Sequence, residues 1–97
     1  MTSLSTHVLD TSTGRPASGI RVALERDGRV VANAVTDADG RIREVGASLA
    51  PGRYRLVFEL AGRFFQSVAL DVELGSDAHY HLPLLVSPFG ITTYRGT

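Results

Sequence analysis

The sequence lacks cysteine and lysine, and each absence excludes a class of protein. Without cysteine there is no disulfide framework, no thiolate metal site and no cysteine nucleophile. Because all ten basic residues are arginine, a Schiff-base or general-base lysine is excluded as well. The ten arginines balance ten carboxylates and form no basic run, which argues against a nucleic acid or an anionic membrane as the partner.

Long hydrophobic runs are also absent. No stretch reaches the roughly 18 apolar residues that a membrane span needs, and residues 1–7 have neither the basic nor the apolar region of a signal peptide. We therefore expect a cytoplasmic protein. A length of 97 residues, 43% of them hydrophobic, suits one globular domain, so we predict a single domain over residues 1–97.

Apolar and polar residues alternate along much of the chain, and turn residues interrupt the alternation about every ten positions. Leu70, Val72 and Leu74, for example, alternate with Asp71 and Glu73. A period of two is typical of strands that bury one face. The pattern predicts about eight strands, near residues 4–10, 20–26, 29–36, 41–46, 53–60, 68–74, 79–86 and 90–96.

Turn residues and the lack of helical periodicity complete the prediction of the fold. Asp27-Gly28 lies between two alternating runs and is the strongest hairpin signal in the chain. No dozen residues keep a period of 3.6, and residues 61–66 allow at most one short helical turn. The sequence therefore predicts an all-β fold, a two-sheet antiparallel sandwich.

Histidine is scarce, and two of the three histidines lie two residues apart on one predicted strand. His79 and His81 therefore share a face of that strand, with Tyr80 on the other. Residues 82–86 are almost wholly apolar, as if both faces of the strand were covered. In a sandwich only one face meets the core, so this pattern predicts a second chain on the other face.

Most strand histidines are surface or core residues, but two chemical interpretations compete with that one. His7, His79 and His81 could form a three-histidine zinc site. Alternatively, one or two of them act as metal-free acid–base groups, with arginine supplying positive charge. No carboxylate lies close to the pair to orient a ligating imidazole, so the metal site ranks second.

The segment Asp37-Ala38-Asp39-Gly40-Arg41 contains part of a calcium-loop pattern. The glutamate expected late in such a loop is missing, so the segment predicts a turn instead. Arg41 follows this turn directly, and its planar fork of donors makes it a candidate for binding an anion.

Three segments carry a more specific combination of motifs: LSTHVLDTSTGRPA at 4–17, HYHLPLL at 79–85 and Tyr94-Arg95-Gly96-Thr97. Together they resemble the 5-hydroxyisourate hydrolases, the transthyretin-related enzymes of urate breakdown. The resemblance runs from residue 4 to residue 97. Residues 36–41 and 49–56 by themselves resemble prealbumin-like sandwich modules in general.

The resemblance implies a transthyretin-like (prealbumin-type) sandwich that forms a homotetramer, with active sites in channels between subunits. We predict no cofactor, because hydrolysis transfers no electrons, and no metal. The reaction it implies is hydrolysis of 5-hydroxyisourate to 2-oxo-4-hydroxy-4-carboxy-5-ureidoimidazoline. The catalytic residues implied are His7, Arg41, His81 and Thr97. The substrate-binding residues implied are His7, Arg41, Tyr94, Arg95 and Gly96.

Two departures from the family pattern stand out. Thr97 occupies a position where the family usually has serine, and the segment 64–70 is shorter than the family's usual helix-bearing insertion. Other functions stay open: a small-molecule carrier of the transthyretin type, a structural sandwich module without turnover, and a zinc hydrolase.

Overall fold

The alternating segments form nine strands over residues 2–97, the part of the chain that the structure, a computed structural model, describes. No helix occurs in this range, so none is long and apolar enough to cross a membrane. The strands are β1 (Thr2–Asp10), β2 (Arg15–Pro16), β3 (Arg21–Arg26), β4 (Arg29–Val35), β5 (Arg41–Leu49), β6 (Gly52–Glu59), β7 (Ser67–Leu74), β8 (His79–Ser87) and β9 (Gly90–Thr93).

The strands make two sheets that pack as a sandwich. The five-stranded sheet has β1 at its centre, with β8 and then β9 on one side and both β2 and β5 on the other. The four-stranded sheet has the order β4-β3-β6-β7. The predicted all-β, two-sheet sandwich is confirmed, with one difference: β1 and β8 pair in parallel, while the other pairings are antiparallel.

The hairpin predicted at Asp27-Gly28 is present between β3 and β4. Both residues have positive φ, 52° and 77°, as a two-residue type I′ turn requires. Arg26 and Arg29 pair directly across it. The local sequence is therefore sufficient to set this turn.

The core lies between the two sheets and consists of the inward residues of six alternating segments. Phe58, Leu56, Leu24 and Val8 are fully buried there. The other buried core residues are Leu4, Val22, Ile42, Val45, Tyr54, Leu74, Leu82 and Leu84. Because this face of each strand is fixed by burial, the register of the opposite face is fixed too.

The strand boundaries differ from the sequence-based prediction by one to three residues. The short β2 was not predicted, and the last strand ends at Thr93 instead of continuing to residue 96. After Thr93 the chain returns to β8 through a single antiparallel bridge between Gly96 and His81. Residues 61–66 form no helical turn: Ala61 has a φ of 49°, and the Gly62 N–H donates to the Phe65 carbonyl.

The strand predicted to be apolar on both faces is β8. Leu82 and Leu84 point into the core, while Pro83 and Leu85 lie on the outer face. Pro83 is buried because Gly96 packs against it, so the chain covers part of this outer face itself. Among the apolar residues on this outer face, Leu85 is half-buried and is left for a second chain to cover.

Candidate active site

The central position of β1 brings the chemically active side chains together on the outer face of the five-stranded sheet. Leu4, Thr6 and Val8 point into the core, so Ser3, Ser5 and His7 point outward. On β8 the same alternation turns His79 and His81 outward.

Strand register then fixes which of these residues are neighbours. Ser5 lies opposite His81, and His7 lies opposite Arg41 of β5. Directly opposed residues in a sheet have Cβ atoms about 4.5–5.5 Å apart, within reach of one another's side chains. The histidine motif of β1 and the His-x-His motif of β8 are thus parts of one site, although 72 or more positions separate them in sequence.

Two serine hydroxyls of β1 bind the histidine pair of β8. Ser5 Oγ lies 2.8 Å from His79 Nε2 and 2.7 Å from His81 Nδ1, while Ser3 Oγ lies 2.6 Å from His79 Nδ1. His81 Nε2 makes no hydrogen bond to any of residues 2–97 and is the ring nitrogen left for a bound molecule. Hydrogen bonds therefore hold both outward histidines in place, His79 through both of its ring nitrogens and His81 through Nδ1.

His7 is oriented by the turn that precedes Arg41. His7 Nε2 lies 3.0 Å from the Asp39 carbonyl oxygen. A carbonyl can only accept, so the neutral His7 ring carries its proton on Nε2 and leaves Nδ1 as its acceptor atom.

The predicted turn at 37–41 is confirmed. Asp37 Oδ1 accepts hydrogen bonds from the backbone N–H groups of Asp39 and Arg41 at 2.9 and 3.0 Å. The bond from Arg41 is the main reason why the pKa of Asp37 is lowered. Gly40 closes the turn with a φ of 72°, and a Cβ there would lie 2.5 Å from the Val8 carbonyl oxygen. The turn therefore fixes Arg41 where it enters the site.

A cavity of about 420 Å³ opens on this face of the sheet. Arg41, His81 and Thr97, all predicted site residues, lie in its wall. The wall is completed by Ser5, Thr6, Ile42, Arg43 and His79. The cavity thus combines two imidazoles, two guanidinium groups and hydroxyls, a set of groups suited to a planar, oxygen-rich anion.

The surroundings of His81 favour the neutral form of its ring. Its pKa is lowered, first because partial burial disfavours the charged ring, and then because Arg41, His7 and His79 add positive charge nearby. A neutral imidazole near pH 7 has a lone pair available to accept a proton.

The C-terminal tail reaches the site across β8. The Gly96 N–H donates to the His81 carbonyl oxygen at 2.7 Å, and a Cβ at this position would lie 2.7 Å from His81 Cδ2. Only glycine permits so close an approach, which carries Thr97 into the cavity wall.

Arg95, predicted to bind substrate, points away from the cavity in this structure. Its Nη2 lies 2.8 Å from Asp77 Oδ2, and its guanidinium carbon lies 4.4 Å from the centre of the Tyr80 ring. Tyr94 is 55% exposed and, like His7 and Gly96, is not in the cavity wall. The side chain of Arg95 follows the nearest carboxylate and aromatic face, which the sequence motif alone does not reveal.

The positions of the three histidines can be compared with those that a metal site would need. Within residues 2–97, no three histidine or carboxylate side chains form a group that could hold a metal ion. Both ring nitrogens of His79 make hydrogen bonds to serine hydroxyls, and His7 Nε2 makes one to a backbone carbonyl. The zinc interpretation of His7, His79 and His81 therefore has no matching geometry here.

Sequence reasoning missed Ser5 and Arg43 and left the role of His79 open. The signal for Ser5 was present, since Ser3, Ser5 and His7 share a face at period two. The parallel pairing with β8 places this face beside His79 and His81. It is a long-range contact that no local pattern encodes.

Known proteins with similar sequences and folds identify the family of this chain. The chain is 43% identical over 115 aligned positions to the 5-hydroxyisourate hydrolase of Caulobacter vibrioides, covering all of both chains. It superposes on the Klebsiella pneumoniae 5-hydroxyisourate hydrolase with a TM-score of 0.91 and 43% identity, over 98% of this chain and 99% of that one. Sea bream transthyretin in complex with thyroxine gives a TM-score of 0.87 at 27% identity, over 98% and 95%. The model of the HIUase/Transthyretin family matches residues 4–96, and the chain therefore belongs to that family.

Proposed function

We propose that this protein is a metal-free hydrolase that opens the six-membered ring of 5-hydroxyisourate, a step of urate breakdown. The observation that carries the proposal is the cavity in which the neutral imidazole of His81 faces Arg41 and Thr97. The 43% identity to enzymes that bear this activity in their names supports the choice of substrate.

The reaction adds water to an amide-like carbonyl and then breaks the carbon–nitrogen bond of the ring. An imidazole takes the proton from water as the oxygen attacks, and a protonated imidazole nitrogen returns a proton to the departing ring nitrogen. Positioned acid–base catalysis of this kind contributes about 10²–10⁴ in rate. We assign this work to His81 Nε2, assisted by His7.

Arg41 binds and orients the substrate in this proposal. Its guanidinium is permanently charged and presents parallel donors to the oxygens of a flat ring. Donors aimed at the oxygen that gains charge during attack add about 10²–10³ in rate. Thr97 closes the cavity with its hydroxyl.

The remaining tail residues have a supporting role in the proposal. Arg95 anchors the tail to Asp77 and Tyr80, and Gly96 lets the backbone cross over the His81 ring. Tyr94 leads into this segment from β9. This anchoring role replaces direct substrate binding by Arg95 in the proposal, because the Arg95 side chain already contacts Asp77 and Tyr80 outside the cavity.

A carrier without turnover is the second candidate. The structural likeness to sea bream transthyretin in complex with thyroxine favours it. The identity to that protein is only 27%, however, against 43% for the hydrolases. A cavity wall with two histidines and two arginines also suits a polar, oxygen-rich substrate.

We further propose that the protein is a homotetramer. An aromatic cluster formed by Phe64, Phe65 and Phe89 supports this assembly, because Phe64 and Phe89 are 64% and 73% exposed. Exposed apolar clusters of this kind mark contact surfaces. The β7 and β9 edge strands and the half-buried Leu85 offer further surface. The cytoplasmic location predicted from the sequence stays a prediction.

The test is to supply freshly generated 5-hydroxyisourate and follow its ultraviolet absorbance with and without a chelator. We expect protein-dependent decay that the chelator does not slow. Arg41→Lys should lower the rate strongly, because a point ammonium cannot replace the planar fork. Arg21→Lys, on the exposed face of the other sheet, is the matched control and should be silent. Binding of substrate without any decay would favour the carrier instead.

A further inference from the structure

Ser3, His79, Ser5 and His81 form a continuous hydrogen-bonded chain on the outer face of β1 and β8. Ser3 Oγ lies 2.6 Å from His79 Nδ1, and His79 Nε2 lies 2.8 Å from Ser5 Oγ. Ser5 Oγ in turn lies 2.7 Å from His81 Nδ1. One end is His81 in the cavity wall, and the other is the partly exposed Ser3.

The number of protons that these four side chains share limits the directions in which their hydrogen bonds can point. A serine hydroxyl has one proton, so when Ser5 donates to one histidine it can only accept from the other. In one such arrangement Ser5 donates to His81 Nδ1, and the neutral His81 ring carries its proton on Nε2. In the reverse arrangement His81 Nδ1–H donates to Ser5, and His81 Nε2 has a free lone pair.

We propose that Ser5 is a positioning residue through which His79 and His81 exchange protons, so that His81 serves as base and then as acid within one turnover. This inference rests on the proposed hydrolase function and names a role for two residues, Ser5 and His79, beyond it.

The proton transfers balance. When water attacks, His81 Nε2 takes its proton, His81 Nδ1 passes one to Ser5 Oγ, and Ser5 passes its own to His79 Nε2. His79 Nδ1 passes its proton to Ser3, and Ser3 releases one to solvent. The reverse sequence delivers the proton on His81 Nε2 to the departing ring nitrogen, and the chain returns to its starting arrangement.

The charges around the site favour this route over a charged imidazole. Arg41 and Arg43 on β5, His7 on β1 and His79 on β8 are the titratable or charged side chains around His81. Both arginines are permanently positive, so an imidazolium at His81 would stand against like charge. Because one proton leaves the chain as another enters, His81 stays neutral throughout.

Ser5 is well placed for this role because it cannot easily move. It lies on the central strand of the sheet, directly opposite His81, and is 8% exposed. Among residues 2–97 no carboxylate makes a hydrogen bond with either histidine, so Ser5 is the group that orients both rings.

The test compares Ser5→Ala with Ser5→Thr, which keeps the hydroxyl, and with Ser67→Ala, an exposed serine on the other sheet. In Ser5→Ala we expect kcat to fall about 10-fold or more, a part of the contribution of positioned acid–base catalysis, with KM nearly unchanged. Ser5→Thr should recover most of the loss, and Ser67→Ala should match the parent. The dependence of kcat on the deuterium fraction of the solvent should be curved in the parent and linear in Ser5→Ala.

His79→Asn tests the same proton route without changing the buried Ser5. Because His79 is exposed, its substitution should not disturb folding. It should lose about as much kcat as Ser5→Ala, and the double variant should lose little more. If Ser5→Ala or His79→Asn keeps the parent kcat and the curved solvent dependence, the proton route is wrong.

Histidine nitrogen NMR separates this inference from the proposed function, because it needs no substrate. In the parent, His81 Nδ1 and His79 Nε2 should show shifts of hydrogen-bonded nitrogens, and both should change in Ser5→Ala. Unchanged shifts would overturn the role of Ser5 even if the protein hydrolyses 5-hydroxyisourate. Absence of hydrolysis in the parent would overturn the proposed function, and the catalytic role of Ser5 with it, even if the shifts change.

Discussion

Gly96 packs directly against the ring of His81, and the Gly96 N–H also donates to the His81 carbonyl oxygen at 2.7 Å. A Cβ at position 96 would stand 2.7 Å from His81 Cδ2 and 3.2 Å from Pro83 Cγ. The absence of a side chain at this position therefore determines how closely the tail approaches the imidazole.

Gly96→Ala is expected to lower kcat/KM about 100-fold, because a misplacement of about 1 Å at a reacting group has an effect of that size. Thermal stability should change little, since the tail contributes no core residue.

Gly28→Ala provides the contrast: Gly28 has a φ of 77° in the β3–β4 turn, with open space around it. It should lose about 1–2 kcal/mol of stability and keep its activity. Steady-state rates and thermal melts of both variants make the comparison, and a fully active Gly96→Ala would contradict it.

Arg95 and Asp77 test whether the tail arginine anchors the tail or binds substrate. If Arg95 is an anchor, Arg95→Ala and Asp77→Ala should reduce kcat/KM by similar factors, roughly two- to five-fold, because exposed ion pairs and cation–π contacts are weak. If Arg95 bound substrate, Asp77→Ala would release it and preserve or increase activity. The double variant should be no worse than either single one.

The activity should depend on pH through His81. Its pKa lies below the ordinary value of about 6.5, mainly because of partial burial and then because of Arg41. The neutral ring is the active form, so kcat/KM should be constant above pH 6.5 and fall only as the pH drops through the lower pKa. Arg41→Gln should shift this acid limb to higher pH, because it removes a positive charge. A limb that stays in place would show that Arg41 does not act on His81.

The lowered pKa of His81 also makes the stability of the fold depend on pH. The unfolded chain binds a proton at His81 near pH 6.5, and the folded chain binds it only at lower pH. Between these two values the unfolded state holds more protons, so stability falls as the pH falls through this window. His81→Asn should remove this part of the pH dependence in thermal melts.

The fold was largely predictable because its information is local. Alternation decides which face of each strand is buried, and Asp27-Gly28 sets its own hairpin through two positive φ values. What alternation cannot give is strand direction or partner: the parallel pairing of β1 with β8 joins residues 76 positions apart, such as Ser5 and His81.

The site was predictable only in part, for the same reason. The motifs identified Arg41, His81 and Thr97, which do line the cavity. The motif implied a substrate-binding role for Arg95, whereas the direction of its side chain depends on where Asp77 and Tyr80 lie after folding. Similarly, the shortened segment 64–70 contains no helix, in keeping with an alignment that spans 115 positions against the 97 residues of this chain.

The assembly is testable through the aromatic cluster. Phe89→Asp places a charge on a side chain that is 73% exposed beside Phe64, so it should lower the mass measured by sedimentation without unfolding the sandwich. Val31→Asp is the matched control: Val31 is 51% exposed on β4, the edge strand of the other sheet farthest from β7. A parent protein that is monomeric at micromolar concentration would contradict the tetramer.

Thr97 is the last residue of the cavity wall, and its hydroxyl can be separated from its bulk. Thr97→Ser keeps the hydroxyl and should leave kcat/KM within about two-fold. Thr97→Val keeps the size and removes the donor; if the hydroxyl contacts substrate, the loss of one hydrogen bond should lower kcat/KM about 2- to 12-fold. Deleting residues 94–97 removes the whole tail and should abolish turnover, while the strands and their core remain. Thermal melts of the three variants beside steady-state hydrolysis decide the matter: a truncated protein that melts normally and turns over substrate at the parent rate would exclude any role of the tail in the site.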